Sequence, residues 1–157
     1  MTPEQITLVQ SSFDRLGPVV PELATRFYAE LFTRDPGLRP LFTTDLELQK
    51  VRFADKLTEI VHSIPRLPEL LGHTRALGAR HAGYGVHVAD YQTVGDALLA
   101  ALAATLGDAF DPATRQAWVT AYSLVAETML QGAAAQLHAD NPARAGGSAR
   151  AGRRPAT

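Results

Sequence analysis

Apolar positions recur along most of the chain at the three-to-four-residue spacing of amphipathic helices, and no stretch alternates convincingly as a strand would. The first helix opens at Thr2-Pro3-Glu4-Gln5. Threonine with glutamine three residues on makes a capping box, and proline takes the first helical position. Ile6, Val9, Phe13 and Leu16 mark its buried stripe, and Gly17-Pro18 ends it. Val20, Leu23, Phe27 and Leu31 stripe a second helix, and Asp35-Pro36 opens a short third segment that ends near Leu41-Phe42. Thr44 and Glu47 form another capping-box pattern ahead of a long amphipathic helix marked by Phe53, Leu57, Ile60, Val61 and Ile64.

Pro65 and Pro68 close that helix and start the next, predicted from Pro68 to about His81, before Gly83 and Gly85 break the chain. Tyr91, Val94, Leu98, Leu102 and Thr105 stripe another long helix. Gly107 and then Asp111-Pro112 separate it from the last, which carries Trp118, Tyr122, Val125 and Met129 and is expected to fray near His138. Six substantial helices and a short one, with short, varied connections and no internal repeat, predict an all-α single domain. The uneven helix lengths and proline breaks are unlike a simple up-down four-helix bundle.

Composition narrows the function. The 157 residues, 46% of them hydrophobic, suit one domain with a real core. The absence of cysteine excludes a disulfide scaffold, a thiolate zinc site, a cysteine-held iron–sulfur cluster and a cysteine nucleophile. A net charge of −1 is not that of a basic nucleic-acid binder, so no nucleic acid is expected as partner. The charge is uneven. Ala139 to Thr157 holds Asp140 against Arg144, Arg150, Arg153 and Arg154 and has no large apolar residue. It reads as a disordered basic tail (139–157) after a folded domain (1–138), a solvated segment in preference to an anionic tether.

The longest purely apolar run, Ala97 to Ala104, would cover roughly 12 Å of a ~30 Å hydrocarbon core, so no membrane partner is expected. Met1-Thr2-Pro3-Glu4 has no apolar export region, and a cytoplasmic location is the expectation.

Five histidines are the only soft nitrogen ligands. His62 falls on the solvent side of its helix, His138 at a fraying end, and His73 where a short helix has barely begun. No pair has the spacing of a zinc hydrolase, and neither a Gly-x-Ser-x-Gly elbow nor a phosphate loop occurs. His81 and His87 remain. His81 lies one helical turn beyond Leu77 and points the same way, into the core. Two readings follow: a hydrogen-bonded core histidine, or an axial ligand to a metal whose other four ligands come from a porphyrin. Gln49, four residues before Phe53, is an amide on a buried stripe, where burial without a partner costs about 1–3 kcal/mol. Tyr28 stands at the edge of its helix's apolar face with a hydroxyl to satisfy. Both are either boundary residues bonded to backbone or water, or polar groups on the far side of an apolar cofactor slot.

Taken together, Phe27-Tyr28 with Leu31-Phe32, Leu41-Phe42, Gln49, Arg80-His81, Tyr91, Val94-Gly95 and Ala117-Trp118 with Ala121-Tyr122 resemble, in order and spacing, the globin domain of bacterial flavohaemoglobins and their single-domain relatives. The resemblance runs over roughly Pro3 to Gln136. It implies the globin fold, a three-over-three helical sandwich, holding haem b with its iron. By position, His81 would be the iron ligand and Phe42 the ring wedged against the haem face. Tyr28 and Gln49 would be the pair that hydrogen-bonds the gas, and Phe53 the apolar residue beside them. Tyr91 would lie beside His81, Val86 and Val94 would line the pocket, and Arg80 would meet a propionate.

The chain departs from the family in three places. Only a short tail follows the globin-like part, so no flavin or nicotinamide domain is expected. The family's glutamate on the last helix aligns with Ala135, with Gln136 the nearest polar residue, which removes an acid that strengthens the imidazole as a donor. The loop between Phe42 and Gln49 is shorter. The resemblance implies reversible binding of O2, NO and CO with no catalytic residue. An enzyme is the alternative: a nitric oxide dioxygenase served by a separate flavin reductase. The resemblance also admits a homodimer. A haem-free sensor or adaptor sits poorly with His81, Phe42, Tyr28 and Gln49 all being retained.

Overall fold

The helical rhythm of the sequence is realised in six α-helices: α1 (Pro3–Leu16), α2 (Val20–Arg34), α3 (Leu46–Ser63), α4 (Leu67–Gly83), α5 (Val88–Leu106) and α6 (Pro112–Asp140). The structure is a computed structural model that describes residues 1–42, 45–83 and 87–140, with the backbone alone at 82–83 and 136–140. Short 3₁₀ turns at Gly17–Val19, Pro36–Leu41, Ile64–Arg66 and Gly107–Ala109 join the helices, and no strand occurs among the described residues.

The local signals act as the sequence dictates. The Thr2 hydroxyl accepts from the Gln5 amide at 3.1 Å and the Gln5 side chain accepts from the Thr2 amide at 3.0 Å, so two orphan donors of α1 are satisfied. Gly17 takes φ +46° at the end of α1, a conformation that side chains resist. The Asp111 carboxylate accepts from the Thr114 amide at 2.8 Å and caps α6.

Three expectations shift. The residue that caps α3 is Asp45, which accepts from the Glu47 amide at 2.9 Å; Thr44, the expected cap, lies outside the described residues. The fourth helix begins at Leu67 and continues to Gly83, so His73 sits on the exposed side of its middle, not at a start. The last helix runs to Asp140, past His138 and into the segment expected as tail. Gly85, Val86 and the tail from 141 to 157 also lie outside the described residues.

Two layers form. One holds α1, α3 and α4, and the other α2, α5 and α6. The layers meet where α1 packs on α6, α2 on α3, and α4 on α6. Between them lies a core that includes Val9, Phe13, Leu16, Leu23, Phe27, Leu31, Leu102 and Trp118. Trp118 Nε1 donates to Ser12 Oγ at 2.8 Å, and the Ser12 hydroxyl turns to the Leu8 carbonyl at 2.7 Å, so α6 is tied to α1 through a fully satisfied buried pair.

Helices α4 and α6 pack backbone against backbone. A Cβ on Gly78 would drive into the backbone of Met129, and one on Gly132 into the backbone of Arg75. Only glycine fits at either place.

Candidate functional site

The α2 stripe buries Tyr28 to 3% exposure, with Phe27 beside it and Phe32 one turn on. Asp35 ends α2 and accepts from the Gly37 amide at 3.0 Å, which turns the chain into the 3₁₀ segment and delivers Phe42 at its end. The Asp45 cap starts α3 so that Gln49 falls in its first turns and Phe53 one turn later, both half-buried.

These elements converge on the Tyr28 ring. Its centroid lies 5.0 Å from that of Phe27, 5.5 Å from Phe42, 5.8 Å from Phe53 and 5.9 Å from Phe32. The contacts with Phe27, Phe42 and Phe53 are edge-to-face, a geometry that the aromatic quadrupole favours. Phe32 packs edge-on against Phe42 at 5.5 Å, and the Arg39 guanidinium covers the Phe32 ring at 5.2 Å. Burial pushes the Tyr28 phenol pKa upward, and hydrogen bonding with the Gln49 side chain pulls it partly back. At neutral pH Tyr28 is therefore an uncharged O–H donor in an apolar cage.

A second group of expected residues sits on α4 and α5. His81 is half-buried in the last turn of α4, and its Nδ1–H donates to the Leu77 carbonyl at 2.9 Å. A carbonyl only accepts, so this bond places a proton on Nδ1 and turns Nε2 to the other side of the ring. Arg80 beside it is exposed and makes no ion pair among the described residues. Tyr91 and Val94 are half-buried on α5, and the Tyr91 carbonyl accepts a hydrogen bond from the Tyr122 hydroxyl of α6. Burial raises the pKa of Tyr91, with help from the Asp90 carboxylate, and raises that of Tyr122 further. His87 is exposed at the N-cap of α5, where its amide donates to the Asp90 carboxylate at 2.7 Å. Ala135 is exposed on α6 and supplies no polar group.

The structure thus brings Tyr28, Phe42, Gln49 and Phe53 into one cluster and places His81, Tyr91 and Val94 on the two helices that follow. A surface cleft of about 410 Å³ between α1, α2 and α3 contains none of these residues.

A globin family model matches residues 25–129, from within α2 to just past the middle of α6, and takes in every one of these side chains. The chain belongs to the globin family. The globin is 30% identical over 139 residues to neuroglobin of Dissostichus mawsoni, a match covering 80% of this chain and 87% of the relative. Neuroglobin of Chaenocephalus aceratus is similar to the same extent. The two-layer arrangement of α1, α3, α4 and α2, α5, α6 is accordingly the globin fold, as expected from the sequence. The family is the expected one, while these relatives are neuroglobins and not flavohaemoglobins. No helix among the described residues of the globin is long and apolar enough to cross a membrane.

Sequence reasoning gave no structural role to several contributors, Phe32, Gly95 and Tyr122 being picked out only as part of the family resemblance. Phe32 closes the cage from the position one turn after Tyr28, a spacing that places both on one helix face. Tyr122 ties α6 to the Tyr91 backbone, and Gly95 makes room for it: a Cβ there would lie 2.6 Å from the Tyr122 ring. Gly78 and Gly132, which set the α4–α6 crossing, carry no signal in isolation.

Proposed function

We propose that this globin holds haem b through His81 and binds O2, NO and CO reversibly. The observation that carries the reading is the Tyr28–Gln49 pair. It sets an uncharged phenol donor at 3% exposure beside the Gln49 amide, which offsets part of the upward push of burial on the phenol pKa, within walls formed by Phe27, Phe32, Phe42 and Phe53. A buried donor in a dry apolar cage is suited to a small ligand that carries partial negative charge.

The residues fit haem. No group of three His, Cys, Asp or Glu gathers among the described residues, so a metal on His81 calls for a cofactor that brings its own ligands. The Nδ1–H bond to Leu77 supports His81 as that ligand, because a second-ring-nitrogen hydrogen bond is what orients metal-binding histidines. Haem, when bound, supplies an iron centre that takes up diatomic gases.

The chain's own residues do the rest. His81 Nε2 binds the metal. Phe42, Phe53 and Val94 keep water away. Tyr28 and Gln49 donate toward the gas, and Arg80, exposed next to His81, is the cation available to a carboxylate of the cofactor. The tyrosine–glutamine pairing supports a pocket of the flavohaemoglobin type. Nitric oxide dioxygenation with a separate flavin reductase uses the same pair and gains no observation of its own.

Titration of the purified chain with haem, followed by absorbance in the ferrous state under O2 and CO, tests the reading. Stoichiometric uptake with reversible, gas-specific spectra is expected. An absence of stoichiometric uptake overturns it.

A further inference from the structure

His81 stands one helical turn past the point where α4 meets α6. Its Nδ1–H is held by the Leu77 carbonyl at 2.9 Å. That carbonyl belongs to the peptide unit ending at the Gly78 Cα, and the atoms of a peptide unit are coplanar and move together. The Gly78 Cα is where the Met129 backbone of α6 rests, so close that no Cβ fits between them. One rigid plane therefore has α6 against one corner and the His81 ring hung from another.

Earlier along α4 the contact is reciprocated. Gly132 of α6 rests on the Arg75 carbonyl as Gly78 of α4 rests on that of Met129. Each helix sets a glycine on the other's carbonyl, the arrangement in which Cα–H groups reach carbonyl oxygens across tightly packed helices. Both contacts are backbone on backbone, so no side-chain rotamer can absorb a change. Gly72, on the same helix, meets nothing within 4 Å.

We propose that Gly78 is a positioning residue for His81. Through it α6 fixes the Leu77–Gly78 peptide, and that peptide fixes the tautomer and direction of the imidazole. The proposal rests on the reading of His81 as the iron ligand. A substitution at Gly78 lifts the peptide off α6 and turns the acceptor that holds the ring.

Gly78→Ala and Gly72→Ala in the full chain test this. In the haem-free protein, the ring ¹⁵N and Nδ1–H NMR signals of His81 read the bond to Leu77. In the haem-loaded protein, the ferrous iron–histidine stretching band and the rate of haem loss to a scavenger read the ring's placement. Gly78→Ala should lose the protected Nδ1–H signal, shift the band and speed haem loss about 10- to 100-fold, the usual scale for disturbing a ligand's hydrogen-bond partner. Gly72→Ala should leave all three unchanged. In a His81→Gly background with imidazole supplied, Gly78→Ala should no longer alter haem loss.

An intact His81 signal in folded Gly78→Ala overturns the proposal. So does equal acceleration in the His81→Gly background, which would mark a general loosening of the pocket. If Gly78→Ala does not fold, Gly132→Ala tests the other half of the crossing: a smaller change in the same direction is expected, and an unchanged His81 signal overturns the proposal. Failure of the unsubstituted chain to take up haem sinks the gas-binding reading instead, because the haem-free signals still decide this one.

Discussion

Phe27 and Phe53 lie face to face, ring centroids 4.2 Å apart and planes within 4° of parallel. The stack joins α2 to α3 directly behind Tyr28, so it supports both the fold and the cage. Removing either ring leaves a void that the neighbouring helices fill only in part. Phe53→Ala should destabilise the haem-free chain by about 3 kcal/mol, the low end of the range for such truncations because Phe53 is half-buried. Phe53→Leu, which keeps most of the volume, should cost less than about 1.5 kcal/mol. Urea unfolding of both variants checks the values, and equal costs would mean that the stacked ring, and not the volume it fills, carries the contribution.

Ser12 and Trp118 form the one side chain–side chain hydrogen bond between buried residues of α1 and α6 among the described residues. Ser12→Ala leaves the indole N–H buried without an acceptor, at a cost of about 1–3 kcal/mol. Trp118→Phe removes donor and ring bulk together. The serine in that variant keeps its bond to the Leu8 carbonyl. The double variant should therefore be less destabilised than the sum of the two, by 0.5 kcal/mol or more on the usual scale of contacting pairs, about 0.5–3 kcal/mol. Strict additivity in a denaturant double-mutant cycle would show that the bond contributes no net stability.

Tyr28, Tyr91 and Tyr122 all have their pKa raised, burial being the largest cause in each. Below the ordinary tyrosine value of 10.0 both folded and unfolded chains are protonated at these groups, and their contribution to stability is fully present. As pH rises past that value the unfolded chain releases protons that the folded chain retains, so unfolding gains and stability falls. The melting temperature of the haem-free chain should be level from about pH 7 to 9 and decline steeply above roughly pH 9.5. Tyr122→Phe, which removes the most strongly shifted of the three, should make the decline shallower. A slope identical to that of the unsubstituted chain would mean that Tyr122 ionises as readily folded as unfolded.

Much of this architecture was legible because its signals are local. Thr2 with Gln5, Gly17 and Asp111-Pro112 mark helix ends within three or four residues, and the stripes through Phe27 and Phe53 mark the faces that meet. Local signals also set the limits. Thr44 and Asp45 are adjacent residues with a side-chain oxygen that can accept, and pattern alone does not choose between them; the Glu47 amide donates to Asp45. Tyr28 and Gln49 stood out as polar groups on apolar faces, which is why the cage around them was foreseeable. The α4–α6 crossing was not. Gly78 and Gly132 are ordinary helical glycines until two distant helices are laid together, and nothing near either residue announces the other. The Tyr122 bond to the Tyr91 carbonyl is hidden for the same reason, because a main-chain acceptor leaves no mark on sequence.

Replacement of His81 by alanine should abolish stable haem retention, while alanine at His62, His73, His87 or His138 should not. His62, His73 and His87 are exposed, whereas His81 is half-buried with its ring fixed by the Leu77 carbonyl. Absorbance of the purified variants after haem addition and gel filtration is the measurement. A His81→Ala variant that keeps a five-coordinate ferrous spectrum without added imidazole would show that another residue is the ligand.

The Tyr28 hydroxyl gives the sharpest test of the cage. Bound dioxygen carries partial negative charge, and a hydrogen bond to a charged partner contributes about 1.5–3 kcal/mol, more than a neutral one. Such contacts act mainly on the rate at which a ligand leaves. At about 1.4 kcal/mol per tenfold, Tyr28→Phe should speed oxygen release roughly 10- to 100-fold. The ring itself stays, so the contacts with Phe27, Phe42 and Phe53 are kept and the change is confined to the donor. Carbon monoxide is far less polar when bound, and its release should change much less. Gln49→Leu should act in the same direction but more weakly, because Gln49 is half-buried and the fully buried Tyr28 hydroxyl is the main donor. Stopped-flow dissociation of both gases from both variants measures the difference. Equal acceleration of oxygen and carbon monoxide would point to a steric change in the cage, and an unchanged oxygen rate in Tyr28→Phe would mean that the hydroxyl makes no bond to the gas.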